Sequence, residues 1–112
     1  MSAIKTIYIA GPYSGGNPED NLRAAISAAN AMMDIGLAPF IPHLSHYLHA
    51  VKERGYEEWM EYDFVWLDRS DALFRLPGIS PGAERELKRM QGLGRPVFHT
   101  MSALTDYLKA NP

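Results

Sequence analysis

The chain has 112 residues, 46% of them hydrophobic, so it is long enough for one core and is expected to form a single domain over residues 1–112. Its 11 lysines and arginines against 13 acidic residues leave a net charge of −2, which gives no electrostatic footprint for a nucleic-acid polymer or an anionic membrane. Cysteine is absent, which excludes a disulfide framework and a thiolate nucleophile, and with no signal-peptide pattern or long apolar run the expected location is cytoplasmic.

Ile4 to Ala10 is a short apolar run of β-branched and aromatic residues, stopped by Gly11-Pro12, and reads as a buried strand. After a loop with Gly15-Gly16, Asn17 can cap a helix, Pro18 suits its first position, and Glu19 and Asp20 favour its positive end. Leu22, Ala25, Ile26, Ala29 and Met33 continue it at helical spacing, and Gly36 suits the stop. Leu37 to Ile41 predicts a second strand, at a sheet edge because of Pro39. Pro42 to Ala50 fits no single period. Tyr56 to Asp68 is helical in pattern, Asp71 to Leu76 a third strand, and Pro81 to Leu93 a helix ended by Gly94. Pro96 to His99 predicts a fourth strand and Ser102 to Ala110 a closing helix. Strands alternating with helices predict an α/β fold with a mostly parallel, doubly wound sheet. Ligands in such sheets bind beyond the carboxyl ends of the strands at the switch point, which directs attention to 11–17 and 77–86.

Several side chains there can carry chemistry. Glu86 lies within the first turns of the helix that opens at Ser80-Pro81-Gly82-Ala83. Read alone it is either a surface glutamate or a carboxylate that the helix dipole keeps ionised, competent to attack an anomeric carbon. Ser80 is either a plain N-cap or part of a phosphate cradle with the N–H groups of Gly82 and Ala83. Gly82 would let a ligand approach the backbone. Asp63 sits among Trp59, Tyr62, Phe64 and Trp66, so it is either an exposed helix aspartate or a half-buried acid with a raised pKa. Tyr8 belongs to the core, with its hydroxyl near the end of the strand. His43, His46 and His49 recur every three residues, but the third drifts off a shared helix face, so no metal is expected, and His43 reads as a pocket residue. Gly11-Pro12-Tyr13-Ser14-Gly15-Gly16 is glycine-rich yet lacks the Walker ending and the dinucleotide fingerprint.

Taken in order, Ile7-Tyr8-Ile9-Ala10-Gly11-Pro12, Asp63 to Ala72, Ser80 to Leu87 and Gly94-Arg95-Pro96-Val97 resemble the nucleoside 2-deoxyribosyltransferase family, over about Ile4 to Phe98. The nearest branch by this resemblance is the 2′-deoxynucleoside 5′-phosphate N-hydrolases with their small bacterial and phage relatives. The resemblance implies a flavodoxin-like (Rossmann-like) three-layer sandwich. It implies Glu86 as nucleophile, Asp63 as the acid that protonates the leaving base, and Tyr8 as the residue that steadies nucleophile or sugar. Transferases acting on free nucleosides carry aspartate at the position of Ser80, where the nucleotide hydrolases carry serine, so Ser80 implies a 5′-phosphate. The hydrolases' phosphate-binding arginine is replaced here by Ser14. The substrate-binding set implied is Ser80, Gly82, Ala83, Gly11, Tyr13, Ser14 and His43, with Trp59, Tyr62 or Tyr13 stacking on the base.

The expected activity is cleavage of the glycosidic bond of a (deoxy)nucleoside 5′-monophosphate through a glycosyl-Glu86 intermediate, with the two carboxyl groups about 5 Å apart and no metal or organic cofactor. Base exchange by a transferase, a catalytically silent nucleotide-binding module and a plain interaction domain are the alternatives. A small chain with many aromatics also predicts a homodimer or larger homo-oligomer.

Overall fold

Asparagine, proline and two acids in a row decide where the first helix begins. In the computed structural model, which describes residues 4–13 and 15–112, Asn17 is extended and its Oδ1 accepts from the N–H groups of Glu19 (2.9 Å) and Asp20 (3.2 Å), with Pro18 at the first helical position. Strand β1 (Thr6–Ala10) leads to this helix, α1 (Pro18–Asp34), and then to β2 (Ala38–Phe40). The stretch without a clear period becomes a 3-10 turn (Pro42–Ser45) and a short helix α2 (His46–Val51). Helix α3 (Tyr56–Asp68), β3 (Ala72–Arg75), α4 (Pro81–Gly92), β4 (Val97–Phe98) and α5 (Met101–Ala110) follow.

All four strands are parallel, in the order β2-β1-β3-β4, and β2 is the edge that Pro39 predicts. The chain passes from one side of β1 to the other between β2 and β3. The switch point therefore falls between the ends of β1 and β3. Side chains alternate across the sheet. Ile7, Ile9, Ala72 and Phe74 pack with Ala25, Ala29 and Met32 of α1 and Leu104 of α5. Tyr8, Ala10 and Leu73 pack on the other side with Leu67 of α3 and Ala83 and Met90 of α4. The result is the doubly wound, flavodoxin-like three-layer sandwich.

One detail of α1 differs from its sequence pattern. Ile26 and Met33 are exposed, and the buried stripe is Ala25, Ala29 and Met32. Small residues on that stripe let the helix lie close to the sheet, and the larger apolar neighbours are turned outward. Among the described residues no helix is long and apolar enough to cross a membrane.

Candidate active site

β1 and β3 run in register to their last residues, Ala10 beside Arg75, and the Leu76 N–H extends the ladder to the Ala10 carbonyl at 2.8 Å. Gly11 follows. A Cβ there would lie 2.8 Å from Leu76 Cβ, so the chain can leave the strand here only without a side chain. Gly78 turns with φ +117°, and a Cβ on it would meet Pro12 Cγ at 2.6 Å. The two loops thus pack against each other, and beside them opens a cleft of about 680 Å³.

Glu86 and Asp63 both line this cleft, one from α4 and one from α3. Glu86 is 5% exposed, so of its two sequence readings the surface glutamate is the wrong one. Tyr8 does not line the cleft, but its hydroxyl donates to Glu86 Oε2 from beneath. Ser80, Gly82 and Ala83 border the cleft at the start of α4, Gly11 and Tyr13 after β1, and His43 on the 3-10 turn. Ser14 lies outside the described residues. Two bidentate bridges fix α3 against α4: Arg85 to Glu57 (2.6 and 3.1 Å) and Arg89 to Asp68 (2.6 and 2.7 Å). They are exposed and add little stability, but they hold the register between the helices that carry the two acids.

Burial sets the electrostatics. It pushes the Glu86 carboxyl up to about 8, and the charge of Asp63 adds to this, while the Tyr8 hydrogen bond, Arg75 and Arg85 pull it back. Burial also lifts Asp63 to about 7. Tyr8 stays neutral, held well above the ordinary phenol range by burial and then by the nearby carboxylates. Glu86 lies past the first turn of α4, where the helix dipole fades, so the dipole invoked from its sequence position contributes little, and desolvation is the largest influence on its carboxyl. Burial holds Glu86 above Asp63 even with the Tyr8 hydrogen bond in place, whereas the donors within reach favour charge on Glu86. Tyr8 donates to Glu86, and Asp63 Oδ1 is buried without a partner. The charge of the pair belongs on Glu86, because a buried carboxylate oxygen with no donor, as on Asp63, is the costlier one.

Ser80 is extended, and its Oγ accepts from the Ala83 N–H at 3.1 Å. The Ala83 N–H, which borders the cleft, makes the helix cap here. A ligand at this helix start would meet the Ser80 hydroxyl proton and the Gly82 backbone first. The three histidines part company. His43 Nε2 lies 2.9 Å from the Pro12 carbonyl, which can only accept, so Nε2 carries the proton. Its Nδ1 is left as a buried acceptor without a partner. His46 pairs with the Tyr13 hydroxyl (2.8 Å), and His49 Nδ1 accepts from Trp59 Nε1 (2.9 Å). Among the described residues no three histidine or carboxylate side chains gather as metal ligands. Of the aromatics expected to stack on a base, Trp59 and Tyr13 line the cleft, but Tyr62 faces a separate cleft of about 260 Å³ beside β2.

The sequence reading missed Arg54, Tyr56 and Met60 on the cleft wall, and the buried Arg75 at the end of β3. Arg75 alone carried a signal: a charge inside an otherwise apolar strand, Ala72-Leu73-Phe74-Arg75-Leu76, demands buried partners.

Comparison with known proteins agrees with the fold and names a family. A solved structure titled "2-desoxiribosyltransferase from Leishmania mexicana" is similar, with a TM-score of 0.63 and 22% identity over 83% of this chain. This chain spans 61% of the length of that one, and at this identity the likeness establishes the fold. No curated protein matches the sequence. A family profile described as "Domain of unknown function (DUF7768)" matches residues 5–100. With that match over most of its length, the chain belongs to the DUF7768 family.

Proposed function

We propose that this protein acts on the N-glycosidic bond of a nucleoside 5′-monophosphate. The observation that carries the reading is the buried Glu86 carboxyl, hydrogen-bonded by Tyr8 and sharing a cleft with Asp63, whose proton is held to about neutral pH. In the first step a Glu86 oxygen attacks the anomeric carbon, and the bond from that carbon to the base nitrogen breaks. The electron pair goes to the base, which takes a proton from Asp63. In the second step water attacks the same carbon, Asp63 removes its proton, and Glu86 is released. The products are a free base and a sugar 5-phosphate. Ser80 at the start of α4 fits the phosphate, and Trp59 and Tyr13 offer faces for the base. No step requires a metal.

The fold shared with a protein titled a 2-desoxiribosyltransferase favours one second reading, in which another base rather than water resolves the intermediate. One experiment tests both. Ribo- and deoxyribonucleoside monophosphates are incubated with wild type and Glu86→Ala, with and without a second free base, and the bases are separated by chromatography. Release by wild type alone supports the hydrolase, and exchange only in the presence of the second base supports the transferase. No release under any condition, with a mononucleotide still bound, would leave a silent binding module.

A further inference from the structure

Arg75 is the single charged residue of β3, and only 7% of it is exposed. Its guanidinium holds three segments at once. Nη1 donates to the Leu76 carbonyl, Nη2 to the Gly78 carbonyl at 2.9 Å, and Nε and Nη2 to Glu84 Oε1 at 3.2 and 3.0 Å. One side chain therefore joins the end of β3, the loop after it and the first turn of α4. That loop is the one that packs on Pro12 and delivers Ser80 to the cleft. The planar fork of arginine suits this task, since its donors leave in fixed directions. The other arginines of the region, Arg85 and Arg89, have side chains about two-fifths in solvent and bridge helix surfaces instead.

The charge of Arg75 also bears on the reactive carboxyl. The groups acting on Glu86 are Tyr8 of β1, Asp63 of α3, Arg85 of α4 and Arg75 of β3. Tyr8 is neutral, and Asp63 opposes ionisation. Of the two cations, Arg75 is the one withdrawn from solvent, where its field is least screened.

We propose that Arg75 is a positioning residue for the cleft: it holds the 76–80 loop and the start of α4 in the shape that presents Ser80 and Gly82, and its charge stabilises the Glu86 carboxylate. This rests on Glu86 being the reactive group named above. Arg75→Lys keeps a charge but cannot reach three partners, whereas Arg75→Met removes charge and fork together. Glu84→Ala changes an exposed partner and leaves the Arg75 charge unopposed.

The test follows the Glu86 carboxyl by ¹³C NMR through a pH titration, assigned with Glu86→Gln, and measures binding of deoxyadenosine 5′-monophosphate by tryptophan fluorescence. In Arg75→Met the Glu86 midpoint should rise by about one pH unit, and in Glu84→Ala it should fall. In Arg75→Lys the midpoint should stay near wild type while mononucleotide affinity drops about tenfold, the loss of one good contact. Midpoints that do not move in either Arg75→Met or Glu84→Ala would overturn the proposal, as would an Arg75→Lys variant that binds as tightly as wild type. Should Arg75→Met fail to fold, Glu84→Ala decides the electrostatic half. If wild type binds no mononucleotide, the proposed function fails on its own, and the Glu86 midpoints still judge Arg75.

Discussion

Glu86 and Tyr8 form a contact whose removal has a definite sign. Tyr8→Phe takes away a hydrogen bond that favours the Glu86 carboxylate, while the ring still fills its place between Phe40 and Leu73. The Glu86 carboxyl, already at about 8, should rise further, and kcat/KM should fall about ten- to hundredfold, as for loss of a hydrogen bond to a charged group. Glu86→Gln should cost about a thousandfold or more, with mononucleotide binding kept. Activity of wild type against pH should be a narrow bell near pH 7 to 8, because the working form holds one proton between Asp63 and Glu86. Its two limbs belong to the pair rather than to either residue. A pH profile of kcat/KM for wild type and Tyr8→Phe checks both points: a Tyr8→Phe acid limb that stays where the wild-type limb lies would refute the role given to Tyr8.

Elements place these residues, and two glycines make the case testable. Gly78→Ala should destabilise by about 1–3 kcal/mol, since the position has φ +117° and the new methyl would strike Pro12. Gly92→Ala, at the end of α4 with nothing within 4 Å of a new Cβ, should stabilise by about 0.5 kcal/mol. Urea melts of both variants decide, and a neutral Gly78→Ala would mean the loop is not held as described. The same elements show what the sequence could convey. Asn17-Pro18-Glu19-Asp20 marked the start of α1, and the aromatic run marked α3, because capping and helical periodicity are local. Asp63 and Glu86 were visible as candidates, and the aromatics around Asp63 offered its partial burial as one reading, but the sequence alone could not choose between burial and exposure for either. That depends on α3 packing against α4, which is a tertiary event. The Ser80 cap was legible as a cap, yet the use of the Ala83 N–H in making it needed coordinates. Arg54 lies just before α3, and Tyr56 and Met60 on its first turns, without a motif, so nothing in their own spacing pointed to the cleft.

The whole molecule carries the cost of keeping two acids out of water. Above about pH 6.5 the His43 ring, whose folded pKa burial lowers, holds at most about half a proton in the unfolded chain and less as pH rises, so it opposes the two acids only weakly. From there to about pH 8 the unfolded chain has released the protons of Glu86 and Asp63, while the folded chain still holds them in part. The folded state then binds more protons, so stability must fall as pH rises through this window. The melting temperature of wild type should drop between pH 6.5 and 8, and Glu86→Gln should flatten that drop. At pH 8 the variant should exceed wild type by on the order of a few kcal/mol. A wild-type melting curve independent of pH would contradict the burial of these acids. The short helix α2 has a different consequence. It has six residues, none of them buried, and no side-chain cap, whereas β1 lies paired on both sides in the middle of the sheet. Amide hydrogens of His46–Val51 should therefore exchange orders of magnitude faster than those of Ile7–Ala10. If exchange runs in that order, the strand beneath the cleft holds still while the wall that carries His49 opens, and the residence time of a ligand in the cleft would be set by how often that wall lifts.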